Sequence, residues 1–246
     1  MKIVAITQAR FASTRLPGKV LLKIGNDTVL DVHLRRIKRA KLIDQVVVAT
    51  TLEPEADEIV HIAQANSCAY SRGSLDDVLD RFYQACKEGH PDLVVRLTSD
   101  CPIIDPDYID DLVRQFQKQK VDYASNSLRP TLPDGMDAEI FTFAALEEAW
   151  KLAKKKSERE HVTPYIRESG RFQVLSVEYQ PDLSNYRLTL DTSEDLALLQ
   201  ALVAACGPDA NLKTYIDYLK AHPEIFALNQ KYERNEGYKK SLQEDQ

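Results

Sequence analysis

The stretch Gln8-Ala-Arg-Phe-Ala-Ser-Thr-Arg-Leu-Pro-Gly-Lys19 follows directly on the apolar run from Ile3 to Ile6 and sets Arg10, Arg15 and Lys19 in one loop at a strand end. Open α/β sheets bind their ligands outside the carboxyl ends of the strands. Three cations placed there call for an anion, and phosphate is the first candidate. The loop is not a Walker A motif, because Val20 follows Gly18-Lys19 and no earlier glycine supplies the backbone nest. Guanidinium forks would do the gripping instead. The competing reading is a solvated basic loop.

Working outward, valine- and isoleucine-rich runs at 2–7, 45–51 and 93–97 are too apolar for a sheet with one wet face, which predicts strands buried on both faces. Helical periods fill the intervals at 29–40, 54–66 and 75–88, and a short strand near 69–71 delivers Arg72 to the edge that carries Arg10. This alternation predicts an α/β fold, a three-layer, mainly parallel sheet with helices on both faces. Beyond Asp100 the pattern predicts helices at 106–119, 143–155, 159–168, 193–205 and 211–221, and strands at 122–125, 137–142, 172–178 and 185–190. We read residues 1–228 as one domain, with an excursion from the sheet at about 133–178 that contains β structure. Residues 229–246 read as a polar tail, frayed or packed as an arm.

The 246 residues suffice for one large core, and the net charge of −6 argues against nucleic acid as the main partner. Cys68, Cys86, Cys101 and Cys206 are far apart without a CxxC spacing, so neither a zinc site nor a disulfide framework is expected. The first residues are too short an apolar run for a signal peptide, and no stretch approaches a membrane span. The expectation is a cytoplasmic protein.

Six segments recur in an order that resembles the cytidylyltransferases that activate acidic sugars, in particular the branch of spore-coat polysaccharide biosynthesis, with sialic-acid and Kdo activating enzymes as more distant relatives. Besides the opening loop they are Arg72-Gly-Ser-Leu-Asp-Asp-Val-Leu-Asp-Arg81, Arg96-Leu-Thr-Ser-Asp-Cys-Pro102, Gly135-Met-Asp-Ala-Glu139, Glu158-Arg-Glu-His-Val-Thr-Pro164 and Leu190-Asp-Thr-Ser-Glu-Asp-Leu196. The resemblance covers roughly the first four-fifths of the chain and implies a fold like that of nucleotide-diphospho-sugar transferases. Ser99 departs from it, since relatives commonly carry glycine there.

Read from the residues, Asp100 and Asp191 each follow an apolar run and could hold a hard cation at the sheet edge. Asp191-Thr-Ser-Glu reads equally as a helix start. The resemblance assigns both to a metal, Mg2+, and gives Arg10, Arg15 and Lys19, with Asp100, the catalytic work on a triphosphate. It also implies that Ala9, Arg72, Gly73, Ser74, Asp77 and Ser99 join the three cations in binding the nucleotide. Arg81 stands one helical turn from Asp77 and reads either as an ion pair or as an acceptor ligand. Asp137 and Glu139 alternate on one strand face and could accept sugar hydroxyls. Arg159 and His161 could meet a substrate carboxylate, the guanidinium fork being the better match. The implied reaction joins CTP to an acidic 2-keto-3-deoxy sugar, giving a CMP-sugar and pyrophosphate, in a homodimer. A metal-dependent glycosyltransferase using a nucleotide-sugar is the alternative enzyme, with Asp137-Ala-Glu139 as an approximate donor motif. A nucleotide-binding module without turnover is the other alternative.

Overall fold

The computed structural model describes residues 1–13 and 15–245. β1 (Ile3–Gln8) leads through the cationic loop and a two-stranded ribbon, β2 (Lys23–Ile24) and β3 (Asp27–Thr28), into α1 (Val29–Ile37). β4 (Gln45–Thr51), α2 (Asp57–Ala65), β5 (Ala69–Gly73), α3 (Val78–Cys86), β6 (Leu93–Thr98) and α4 (Pro106–Lys118) continue the alternation. Next come β7 (Tyr123–Ser125), β8 (Glu139–Thr142), α5 (Phe143–Leu152), α6 (Lys156–His161), α7 (Pro164–Glu168) and β9 (Val174–Ser176). The remaining helices are α8 (Ser193–Cys206), α9 (Leu212–Ala221), α10 (Pro223–Phe226) and α11 (Glu236–Glu244).

Seven strands form one sheet in the order β5-β4-β1-β6-β8-β7-β9. β1 pairs in parallel with β4 and β6, whereas β8 runs antiparallel to both β6 and β7. Both faces are covered, as the apolar runs predict. Ile3 and Ala5 pack toward α1, α2 and α4, while Val4 and Ile6, pointing the other way, pack toward α3, α5 and α7. A third cluster joins α8 and α9 to Val29 and Val32 of α1. Each fully buried valine, leucine or isoleucine among them contributes about 1.5–3 kcal/mol by leaving water.

The helices begin where short polar residues can accept the first free N–H groups. Thr28 and Asp31 form a capping box on α1, Thr192 and Asp195 form another on α8, and Asp105 caps α4 just ahead of Pro106. From β1 the crossovers run outward to β4 and β5 and then jump back across β1 to β6. The carboxyl ends of β1 and β6 therefore flank the switch point of the sheet, the usual ligand crevice of this architecture.

The structure corrects three of these readings. Residues 185–190 form no strand; the segment is tied to its neighbour by one bridge, Asp134 with Arg187, and is pinned beneath Gly135. Gly135 has φ +107°, and a Cβ there would lie 2.5 Å from the carbonyl carbon of Leu188, so only glycine allows this approach. The expected helix over 159–168 is divided into α6 and α7 at Val162, φ 71°, just before Pro164. Within 133–178, β8 and β9 extend the main sheet instead of leaving it. The tail, as far as it is described, carries α11 docked on α6; Gln246 lies outside the described residues. Among the described residues no helix is long and apolar enough to cross a membrane.

Candidate active site

At the switch point lies a cavity of about 770 Å³, within the range of small-molecule sites. Its walls are the loops after β1 and β6, the segment from Asp134 to Glu139, α6 with the start of α7, the segment from Arg187 to Asp191, and the C-terminal residues from Glu233. The loop after β1 is closed by Gly18, φ 67°, whose N–H donates to the Phe11 carbonyl at 2.9 Å. That closure carries Lys19 back beneath the sheet edge.

Lys19 is the hub. Its Nζ donates to Asp100 Oδ2 at 2.8 Å, to Asp191 Oδ1 at 2.9 Å and to the Leu190 carbonyl at 2.8 Å. Burial would discharge this lysine, but Asp100 and Asp191 overcome it and raise its pKa above the ordinary value. Burial likewise pushes Asp100 upward, yet the Lys19 ammonium wins and holds its carboxyl well below the usual range. Arg15 reaches the same Asp191 oxygen at 2.8 Å and Glu236 at 3.0 Å. Arg10 is exposed and makes neither an ion pair nor a hydrogen bond among the described residues.

Behind Asp191 stands Arg187, which the sequence reading passed over as part of a strand. Its guanidinium donates to Asp191 at 3.0 Å, to Asp134 at 2.7 Å and to the fully buried Asp195 at 2.9 and 3.0 Å. Asp195 also accepts the Asp191 backbone N–H at 2.9 Å, so both the main chain and the side chain of Asp191 are held. Behind Asp100, the buried His33 donates from Nδ1 to the Cys101 carbonyl at 2.9 Å and accepts the Thr7 hydroxyl on Nε2 at 2.8 Å. Burial brings His33 down to about 4, so the ring is neutral and this tautomer is fixed. Burial and then Asp137 push Asp134 up to about 7 against the pull of Arg234 and Arg187.

Ala9, Arg10, Arg15, Lys19, Ser99, Asp100 and Asp191 thus meet in one cavity, together with Arg81, Asp137, Glu139 and His161. Arg81, 1% exposed, spends one nitrogen on the Ser74 carbonyl at 2.7 Å, leaves Nε without a partner, and forms no pair with Asp77. Burial and then Arg10 lower it to about 10, a cation short of counter-charge. Glu139 faces Arg96 across the β6–β8 ladder and pairs with it, while accepting hydroxyls from Tyr123 at 2.5 Å and Thr163 at 2.6 Å. Arg96 anchors Glu139, not the Asp100 loop. Asp137 is paired with Arg234 from the C-terminal segment, so Asp137 and Glu139 are bound separately and do not form a joint donor motif. Burial, followed by Arg96, lowers His161 to about 4.

Five expected residues lie elsewhere. Arg72 is spent on the Thr51 and Glu53 carbonyls and on Asp57, latching the turn after β4. Gly73 ends β5 and Ser74 follows it, and Ser74 Oγ accepts the Asp77 N–H at 3.1 Å. Asp77 caps α3 and receives the Arg159 fork at 2.9 and 2.5 Å, so Arg159 clamps α6 to α3 and does not line the cavity. Arg167, outside the expected set, does line it; its Nε is buried without a partner and its guanidinium lies 5.2 Å from the Tyr238 ring centre. Its signal was one arginine after Pro164, in a stretch read as plain helix.

The cytidylyltransferase family profile matches residues 4–225. The spore coat polysaccharide biosynthesis protein SpsF of Bacillus subtilis is 33% identical over 90% of this chain and 95% of its own. A solved cytidylyltransferase from Leptospira borgpetersenii superposes with a TM-score of 0.89 at 36% identity, covering 95% of this chain and 100% of that one. CMP:2-keto-3-deoxy-manno-octonic acid synthetase, solved with CTP, shares the fold at 18% identity, with a TM-score of 0.64 over 83% of this chain and 99% of that one. A nucleotidyltransferase in sequence and in architecture, the chain belongs to the cytidylyltransferase family.

Proposed function

We propose that the protein transfers CMP from CTP to the anomeric hydroxyl of an acidic 2-keto-3-deoxy sugar and releases pyrophosphate, for cell-surface polysaccharide synthesis. The observation that carries this reading is the convergence of Asp100, Asp191 and Lys19 beside Arg10 and Arg15 at the sheet's switch point. Arg10 and Arg15 would restrain the triphosphate, and Lys19 would stabilise charge as it builds on the phosphate under attack. Asp191 is kept in register by Arg187, and Asp100 by the turn that His33 braces. Because the phosphoryl centre needs alignment and charge neutralisation, no protein nucleophile is required.

The two carboxylates fit Mg2+. Their oxygens lie within 2.8 and 2.9 Å of a single nitrogen, so they are aimed at a common point, and among the described residues no third acidic, His or Cys ligand completes a cage. One or two carboxylates with water and phosphate oxygens is the usual provision for this ion beside a nucleotide. Asp100 and Asp191 would hold the Mg2+, which would supply charge neutralisation to the phosphate. Arg81 and Arg167 support an anionic acceptor, being cavity cations with donors left over.

Pyrophosphate release, measured with each nucleoside triphosphate against a panel of 2-keto-3-deoxy sugar acids, tests the reading. CTP with one acid should exceed all other pairs; activity confined to a neutral sugar or to another base would remove it. The same reading places the enzyme in the cytoplasm as a homodimer, and a monodisperse monomer in light scattering would remove the latter.

A further inference from the structure

The C-terminal segment enters the cavity through Glu233, Glu236, Tyr238 and Ser241. Glu236 Oε2 lies 3.0 Å from Arg15 Nη1, while Asp191 Oδ1 lies 2.8 Å from Nη2 of the same guanidinium. A carboxylate thus holds the fork that a phosphate oxygen would take. The rest of α11 rests on α6 through one edge-to-face ring pair, Tyr238 with His161 at 5.1 Å between centres, and through polar contacts. His161 Nε2 lies 2.9 Å from Ser241 Oγ, Lys156 lies 2.5 Å from Glu244, and the Ser157 N–H donates to Asp245 at 2.9 Å.

Hydrocarbon contributes little to this docking. Among the described residues of the helix Ser241 alone is buried, and Leu242 stays 39% exposed. Contacts of this kind exchange for water at small net cost, which puts the helix among the elements that open first. The helix starts from Asn235 at φ 62°, a left-handed turn that asparagine tolerates, followed at once by Glu236 and Gly237.

We propose that α11 is a lid on the cavity, held shut by Glu236 standing in for a phosphate and released when a triphosphate takes Arg15. An arriving triphosphate removes the attraction that holds Glu236 and adds like-charge repulsion from Glu233 and Glu236, which face the same cavity. Opening withdraws Tyr238 and Ser241 from Arg167 and His161, where the acceptor would bind. The nucleotide therefore binds first and the acceptor second. The proposal rests on the nucleotide reading only for the identity of the anion.

Hydrogen exchange of residues 236–244 in the full chain, with CTP, CMP or inorganic tripolyphosphate, tests this beside Glu236→Gln. CTP and tripolyphosphate should each accelerate exchange severalfold, and CMP should not. Glu236→Gln should exchange faster without ligand and bind CTP about two- to fivefold more tightly, as the loss of one exposed ion pair allows. Slower or unchanged exchange with tripolyphosphate, equal acceleration by CMP, or unchanged CTP affinity of Glu236→Gln would overturn the lid. Acceleration by tripolyphosphate together with no binding of CTP would uphold the lid and remove the CTP reading instead.

Discussion

Nζ of Lys19 donates to Oδ1 of Asp191 at 2.9 Å, joining the loop after β1 to the segment that precedes α8. The same nitrogen reaches Asp100 after β6, so three distant parts of the sequence meet on one positive charge. Removal of either carboxylate should therefore disturb chemistry before it disturbs the fold. Asp100→Asn and Asp191→Asn are each expected to lower the chemical step at least about a hundredfold. Single-turnover pyrophosphate release at saturating Mg2+ measures this, and near-wild-type rates in both variants would remove the site assignment.

Arg15→Ala and Lys19→Ala are expected to weaken transition-state stabilisation by about 2–4 kcal/mol each, the scale of one preorganised charged donor, with Arg10→Ala similar. Lys19→Ala has a second effect. It leaves two partly buried carboxylates without their shared cation, so its melting temperature should fall and should recover in part with added Mg2+. Unchanged kcat/KM in the three variants would return the loop to solvent.

Arg159→Lys separates a clamp from a substrate ligand. The fork on Asp77 and the 2.8 Å bond to the Trp150 carbonyl predict a loss of about 1–3 kcal/mol of stability, with the KM for the acidic sugar little changed. Denaturant titration and acceptor kinetics on one preparation test this; a selective rise in acceptor KM with full stability would return Arg159 to the acceptor site.

His33 provides the pH test. Burial depresses its folded pKa from 6.5 to about 4, so the stability it contributes is complete above pH 6.5 and is lost as pH falls toward 4. Asp134, raised to about 7, acts in the opposite direction between its ordinary value and 7, but it does so in wild type and variant alike. The stability gap between wild type and His33→Gln should therefore shrink by about 2–3 kcal/mol between pH 7 and pH 4. A gap independent of pH would mean that the fold leaves the His33 pKa where it stands in the unfolded chain, and a gap that widens toward pH 4 would mean that His33 carries its proton in the fold.

The sheet and its flanking helices were legible because Val4 and Ile6 face one covered side and Ile3 and Ala5 the other, which writes the run as continuously apolar. The meeting of the opening loop with Asp100 was legible through cations and a carboxylate at strand ends, whereas Asp191, which follows no strand, joined them only through the family resemblance. The partner of Arg159 was not, since Asp77 lies 82 residues away and its only local signal is a helix cap. Residues 185–190 looked like a strand because Leu188 and Leu190 are buried, yet they are buried under α8 and held by Arg187, with no ladder. α11 left no apolar stripe to read, because ion pairs and hydroxyls fasten it.

Lys19 also bears on how the protein lives before it meets a cation. Many metal sites gather carboxylates that repel one another until the ion arrives, and their domains melt when it is stripped away. Here a tethered ammonium already occupies the space between Asp100 and Asp191. Chelation should silence such an enzyme while leaving it folded, ready to resume work when the ion returns.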